Sequence, residues 1–243
     1  PIKIEGFSGG DRTNLNLPVL QEKLFEAVAA TGKPVVVVLT SGGAVSVNNE
    51  QEKAAAVILA GYGGQQGGNA VADVLFGDYN PAGRLPVTYY KSIDQIPAFE
   101  NYDMTGRTYR FFKQEPLYPF GYGLSYTTFT YSNLVLPAKT IAGEKVSVKV
   151  TVTNSGKYEG DEVVQLYIRD EISSVTRPVK ELKGFKRISI EPGETKSLEF
   201  VIGPEELSFI NRDMHRVVEP GTFKVMAGGN SHELIETTLT VID

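Results

Sequence analysis

The chain has 243 residues, 24 Lys and Arg against 29 Asp and Glu, a formal charge of −5 and no cysteine. Its length suits one or two domains, the acidic balance argues against nucleic acid as the main partner, and the lack of cysteine excludes disulfides and thiolate metal sites. No apolar stretch approaches the ~20 residues of a membrane span, and the opening Pro-Ile-Lys-Ile is neither a signal peptide nor a natural start, so a soluble piece of something longer is expected.

In chain order, "LPVLQEKLFEAVAATGKP" reads as an amphipathic helix, with Pro18 in its first turn, Leu20, Leu24, Ala27 and Val28 at helical spacing and Gly32 at its end. Val35-Val36-Val37-Val38-Leu39 is an unalternating β-branched run, the mark of a strand buried on both faces in a parallel sheet. Ala54–Ala60 reads as the next strand. "GGNAVADVLFGD" has helical spacing through Ala70, Val74 and Leu75 and stops at Gly77, and "RLPVTYY" reads as a further strand or extended edge. The order helix, strand, strand, helix, strand predicts the closing part of a doubly wound α/β sheet.

Residues 91–125 are rich in aromatics and prolines without a sustained period, which predicts a long ordered connection. From Thr127 the period becomes two. Val146, Val148, Val150 and Val152 share one face of "KVSVKVTVTNSG", and Val164, Leu166, Ile168; Leu198, Phe200, Ile202; and Phe223, Val225, Ala227 repeat the device. Turns at Asn154-Ser155-Gly156 and Glu191-Pro192-Gly193-Glu194 separate these strands. A β-sandwich of immunoglobulin or fibronectin type III kind follows, and the missing tryptophan and cysteine pair favour the second.

The glycine-rich turn Gly61-x-Gly63-x-x-x-Gly67 follows a strand and opens a helix, which loosely mimics a dinucleotide fingerprint. Its spacing is one residue too long, and no acidic ribose ligand lies ~20 residues on, where Asn80-Pro81-Ala82-Gly83-Arg84-Leu85-Pro86 stands. Tight packing with close backbone approach is the favoured reading; Gln65 and Gln66 stay unassigned. His215 and His232 stand alone, without a metal-ligand pattern. Tyr109, Phe111, Phe112, Tyr118, Phe120 and Tyr122 suit either a stacking platform for a ring-shaped ligand or, the favoured reading, a staple for the connection. Arg107 and Arg110 suit a pocket contact or, again favoured, a salt bridge securing it. Ser41 and Ser125 lack the G-x-S-x-G elbow of serine hydrolases.

These segments resemble glycoside hydrolase family 3, the β-glucosidase and β-xylosidase family, along nearly the whole chain. "GGDRTNLNLPVLQEKLFEAV", "GKPVVVVLTSGG", "AGYGGQQGGNAVADVLFGDYNPAGRLPVTYY", "GRTYRFF" and "PLYPFGYGLSYTTF" look like consecutive family signatures, followed by "GDEVVQLYIRD", "RPVKELKGFKRISIEPGETKSLEF" and "VEPGTFKVMAGG". The resemblance implies an α/β plus all-β fold: 1–95 the C-terminal part of an α/β sandwich domain, 96–126 an aromatic-rich linker, and 127–243 a fibronectin type III-like domain. It also implies an absent N-terminal barrel.

Retaining glycoside hydrolysis uses two carboxyl groups about 5–5.5 Å apart. By the resemblance the nucleophilic Asp lies in the barrel, and the acid/base Glu lies at or just before position 1, counted back from Gly10-Asp11-Arg12. No catalytic residue is therefore assigned within the chain; Glu5 is the nearest carboxylate and reads as a surface residue, while Asp11 and Arg12 read as an ion pair or cap. The expected function is the C-terminal part of a retaining exo-β-glycosidase, inactive alone, needing no cofactor or metal. Its partners would be the barrel, an oligosaccharide or aryl or alkyl β-glycoside, and, in one arrangement, a second copy; neither nucleic acid nor membrane is expected. The resemblance implies a periplasmic or secreted bacterial enzyme. A non-catalytic carbohydrate-binding or structural module is the alternative from a different class, and a nucleotide-binding α/β protein is the third.

Overall fold

In the computed structural model the backbone is described for residues 7–8 and 11–243, and the side chains from Arg12 onward. The chain divides into two compact units: Pro1–Tyr79, Val87–Arg107 and Lys113–Tyr118 form the first, and Asn80–Pro86, Thr108–Phe112 and Pro119–Asp243 the second.

The first unit begins with a short hairpin of β1 (Phe7–Ser8) and β2 (Asp11–Arg12). Helix α1 (Val19–Ala29) follows. Pro18 stands immediately before it, and its carbonyl accepts from the amides of Gln21 at 2.8 Å and Glu22 at 3.2 Å. A proline suits this place because its fixed φ fits the helix start and its missing N–H would have no partner there. Gly32, at φ +73°, turns the chain away beyond the last turn. Strands β3 (Val36–Leu39) and β4 (Ala56–Leu59) pair in parallel, Val36 opposite Ala56 and Leu39 opposite Leu59. A parallel pair needs a crossover, and α2 (Asn48–Lys53) provides it. This helix has no apolar stripe, so periodicity in "NNEQEK" does not reveal it. Helix α3 (Gly67–Phe76) follows β4, and Gly77 ends it in the left-handed conformation at φ +84°.

Leu39, Val45 and Val47 are the buried centre, with Leu17, Val37, Val57, Leu59, Leu117 and Tyr118 packed on it. The expectation that β3 is buried on both faces is corrected, because Val36 and Val38 on its other face are exposed. The apolar stripe of α1 likewise faces water, with Leu20 80 % and Leu24 65 % exposed, while only Phe25 of that helix is buried. Helix α3 has no buried residue. "RLPVTYY" does not become a strand: the chain bends at Pro86 and Val87, and within this unit an isolated bridge joins Tyr89 to Tyr118.

The second unit is the sandwich. Helix α4 (Thr108–Phe111) precedes β5 (Phe129–Val135), β6 (Lys139–Ile141), β7 (Val146–Asn154), β8 (Gly160–Asp170), β9 (Glu181–Ile190) and β10 (Thr195–Ile202). The short α5 (Pro204–Leu207), β11 (Phe209–Ile210), β12 (Arg216–Val217), β13 (Gly221–Gly228) and β14 (Ile235–Ile242) complete it. One sheet has the order β10-β7-β5, the other β6-β14-β13-β8-β9, antiparallel except where β6 meets β14. The alternating residues named above meet in one core: Val146, Val148, Val150 and Val152 of β7, Val164, Leu166 and Ile168 of β8, Leu198, Phe200 and Ile202 of β10, and Phe223, Val225 and Ala227 of β13. Period-two patterning selects that face because successive strand residues point to opposite sides.

Part of the outer face of the five-stranded sheet, around Gln165 and Tyr167, is covered too. Tyr109 of α4 stacks on Phe120 with centroids 4.3 Å apart, and meets Tyr167 of β8 edge-on at 5.9 Å. Gln165, also on that face, donates to the carbonyls of Gly121 (3.3 Å) and Gly229 (2.5 Å). Segment 80–86 adds a second strap. Asn80 accepts from the Ser125 hydroxyl (2.9 Å) and the Tyr126 amide (2.8 Å) and donates to the Glu159 carbonyl (2.8 Å).

Candidate functional site

In open α/β sheets ligand sites form outside the carboxyl ends of the parallel strands. At that end of β3 the first unit holds a crevice of 350 Å³, lined among others by Arg12, Asn14, Asn16, Glu22, Thr40 and Ser41. Arg12 donates through Nη2 to the carbonyl of Ala44 at 2.7 Å, which ties the β1–β2 hairpin to the loop after β3. Ser41 closes that loop on itself: its hydroxyl donates to Gly43 O at 2.9 Å and accepts from Gly43 N at 3.3 Å. Ser46 and Asn48 reach the carbonyls of Tyr90 (2.9 Å) and Lys91 (2.8 Å), which fixes the start of the crossover helix.

Among the described residues Glu22 is the crevice's carboxylate. Burial pushes its pKa up, and the neighbouring Glu50 and Glu26 carboxylates push it further. Glu50 is only 2 % exposed and one of its oxygens has no hydrogen-bond partner. Sequence reasoning missed Glu50; a charged residue within a short polar helix carries no sign of burial. The described lining, hydroxyls and amides with the Arg12 guanidinium and the Glu22 carboxylate, can hydrogen-bond a polyhydroxylated ligand.

The glycine turn has a backbone explanation. Gly61 and Gly64 adopt φ +59° and +61°, and a Cβ on Gly63 would lie 2.7 Å from the Cα of Gly67. Gln66 accepts from the Asn69 side chain at 2.5 Å, and Tyr62 lies against Gly42, where a Cβ would fall 2.7 Å from its ring. Gln65 is exposed. Glu5 and Gly10 lie outside the described residues, as does the side chain of Asp11, so the Asp11–Arg12 pairing is not described.

The remaining candidates are dispersed. Arg110 pairs with Glu181, which also accepts from Arg177 at 3.0 Å. Arg107 donates to the carbonyls of Ala98 (3.1 Å), Asp103 (3.2 Å) and Asn101. In the first unit Tyr118 meets Tyr89 at 6.1 Å. In the second, burial of Tyr122 raises its pKa, as does the nearby Glu233, Phe112 is buried, and Phe111 lies under the Arg110 guanidinium at 5.9 Å. The amides of His215 and His232 donate to the side chains of Asn211 (3.0 Å) and Asn230 (2.8 Å). A wider groove of 580 Å³ in the second unit runs past Lys145, Glu205, Ser208 and Arg216; Arg216 donates to the Ser208 hydroxyl at 3.2 Å.

A parallel α/β layer with a polar crevice at its strand ends, followed in the chain by a fibronectin-like sandwich, defines a two-part α/β plus all-β protein. Comparison with known proteins gives it a family. Residues 3–126 match the glycosyl hydrolase family 3 C-terminal domain and residues 162–231 the fibronectin type III-like domain, and the chain belongs to glycosyl hydrolase family 3. It is 46 % identical to a β-xylosidase of Formosa agariphila over 96 % of its own length and 33 % of that protein's. It is equally similar to a periplasmic β-glucosidase of Salmonella typhimurium, over 90 % of this chain and 30 % of the relative. Among solved structures, a β-glucosidase of Erythrobacter marinus superposes with a TM-score of 0.88 at 42 % identity, covering 98 % of this chain and 32 % of that one. The chain thus spans about a third of the length of the relatives it matches.

Proposed function

We propose that this chain is the C-terminal part of a retaining exo-β-glycosidase that removes terminal non-reducing β-linked glucose or xylose. The observation that carries the reading is the similarity, at up to 46 % identity and over nearly all of the chain, to a β-xylosidase and a β-glucosidase. The division at 1–95, 96–126 and 127–243 belongs to the same reading, supported by the first sandwich strand starting at Phe129.

Two carboxylates must flank the scissile bond, one attacking carbon and one protonating the leaving oxygen. In this reading both come from sequence outside this chain, the nucleophilic Asp from the barrel and the acid/base Glu from the stretch ahead of the β1–β2 hairpin. Arg12 contributes by fastening that hairpin to the loop after β3. The 243 residues alone then give no turnover, because neither half of the double displacement proceeds without its partner carboxylate. A periplasmic or secreted location is supported by the name of the Salmonella relative. No helix among the described residues is long and apolar enough to cross a membrane. A homodimer is the remaining partner in this reading, checked by sedimentation.

A chimera tests it. This chain replaces the matching third of the Formosa β-xylosidase, and release of nitrophenol from aryl β-xyloside and β-glucoside is measured. Turnover on either, with none from the 243 residues alone, supports the reading. A folded, inactive chimera, or activity in the isolated chain, overturns it.

A further inference from the structure

We propose that the loop from Pro97 to Arg107 in the first unit is a preformed stacking site for a β-linked oligosaccharide. Phe99 and Tyr102 on it are each 88 % exposed, and every side chain from Ala98 to Thr105 faces water, Met104 included. Aromatic rings held in water forgo the favourable burial of their apolar surface.

The loop is nevertheless built as a fixed object. The Arg107 guanidinium sits inside it and donates to the carbonyls of Ala98, Asn101 and Asp103. Asn101 Oδ1 accepts from the Asp103 amide at 2.8 Å, and two turns close through Asn101 N to Ala98 O and Arg107 N to Met104 O, both 3.0 Å. At the base Gly106, at φ +78°, stands against Pro97, where a Cβ would lie 3.5 Å from Cγ. One half-buried arginine thus ties together an eleven-residue loop whose side chains from Ala98 to Thr105 are exposed. That arrangement suits recognition, because a loop ordered before binding spares the ligand the cost of ordering it.

The chemistry selects the occupant. Two aromatic faces can stack on the C–H faces of pyranose rings, while Glu100, Asn101 and Asp103 beside them accept from sugar hydroxyls. No lysine or arginine lies among residues 97–106, which leaves nothing to neutralise a phosphate backbone or an anionic bilayer. The choice of a β-linked sugar chain rests on the glycosidase reading above.

Titration of the 243-residue chain with xylotetraose and cellotetraose, followed by amide NMR shifts, tests the site. Saturable shifts centred on residues 98–107 are expected with at least one of the two sugars. The double substitution Phe99→Ala with Tyr102→Ala should weaken binding about tenfold. Arg107→Lys, which leaves both rings but removes the planar fork, should weaken it less. Phe185→Ala, an exposed aromatic of the sandwich, should change nothing. Absence of saturable binding by the folded chain, or unchanged affinity in the double variant, overturns the proposal.

In the active chimera the ratio of tetrasaccharide to aryl-glycoside kcat/KM should fall about tenfold with the same double substitution. A ratio that holds while the aryl activity persists sinks the loop site and leaves the glycosidase reading standing. A lowered melting temperature with no change in ratio shows instead that polypeptide covers the rings, which also overturns it. Loss of aryl activity in the unsubstituted chimera is a failure of the glycosidase reading, to be told apart by sugar binding to the chain alone.

Discussion

Arg84 Nη2 lies 2.7 Å from Glu162 Oε2, and the two side chains are only 9 % and 4 % exposed. The other oxygen of Glu162 accepts from the Tyr131 hydroxyl at 2.6 Å. Burial, then the Glu162 charge, raises the Tyr131 pKa far above its ordinary value, so its proton stays on and serves as a permanent donor. A buried carboxylate is thereby satisfied on both oxygens, one by segment 80–86 and one by β5.

Breaking such a pair from one side leaves an uncompensated charge, which costs about 3–5 kcal/mol. Arg84→Ala should therefore lower the denaturation free energy of the second unit by that amount, with Glu162→Gln costing somewhat less. The double variant should lose clearly less than the sum, because neither charge is then stranded. Urea titration followed by tyrosine near-ultraviolet dichroism gives the three values; strict additivity would show that the pair does not couple.

Asn80 supports the same strap through hydrogen bonds alone. Asn80→Ala removes two accepted bonds and one donated bond. At about 0.5–1.5 kcal/mol for each bond, a loss of about 2–3 kcal/mol is expected. Ser125→Ala removes the hydroxyl that donates to Asn80 and accepts, at a longer 3.3 Å, from the Thr127 amide, and should cost about 1 kcal/mol. Amide exchange at residues 122–128 should rise more in the first variant than in the second.

The sandwich was legible in the sequence because water on one side and core on the other impose alternation, so Val146 to Val152 and Phe223 to Ala227 announce their face. The first unit was legible in its element types and less so in its burial. Leu20 and Leu24 have the spacing of a core stripe and yet face water, since periodicity reports what a helix could bury, not whether a partner is at hand. Helix α2 was invisible because a polar crossover has no apolar period. The roles of Asn80, Arg84 and Arg107 depend on partners up to 79 residues away or on backbone carbonyls, and neither leaves a local signature. Arg110 pairs with Glu181 as the favoured salt-bridge reading expected, whereas Arg107, read the same way, donates instead to the carbonyls of Ala98, Asn101 and Asp103, which no local sequence pattern announces.

Two glycines with similar backbone angles should respond very differently to a methyl group. Gly32 has φ +73° and nothing within 4 Å of a Cβ, so Gly32→Ala carries only the left-handed backbone penalty of about 1–2 kcal/mol. Gly121 has φ +81°, and its Cβ would lie 2.2 Å from Gln165 Oε1, on the amide that bonds Gly121 O and Gly229 O. Gly121→Ala must also displace that amide and should cost at least about 3 kcal/mol, through strain and orphaned carbonyls. Equal melting shifts for the two variants would show that the space around Gly121 is not limiting.

Asp170 sets a pH dependence whose sign is opposite to that of an ordinary ion-paired carboxylate. Burial pushes its pKa up; Arg177, 3.9 Å away, pulls it back, Glu219 pushes it up again, and the Ile172 amide pulls it down, leaving it above the usual Asp value. Its Oδ2 and the Arg177 Nε are both buried without a hydrogen bond. A folded-state pKa above the unfolded one means the folded protein holds the proton more tightly. The stabilisation from that proton is fully present below the unfolded pKa of about 3.9 and is lost as pH rises through the folded value. Asp170→Asn keeps the shape and removes the titration. The stability of the variant relative to the parent should therefore climb as pH rises from about 3 through the folded pKa and then level off. Paired urea titrations across that range measure the difference; a difference that stays flat or falls with rising pH would mean that Arg177 outweighs burial at this carboxylate.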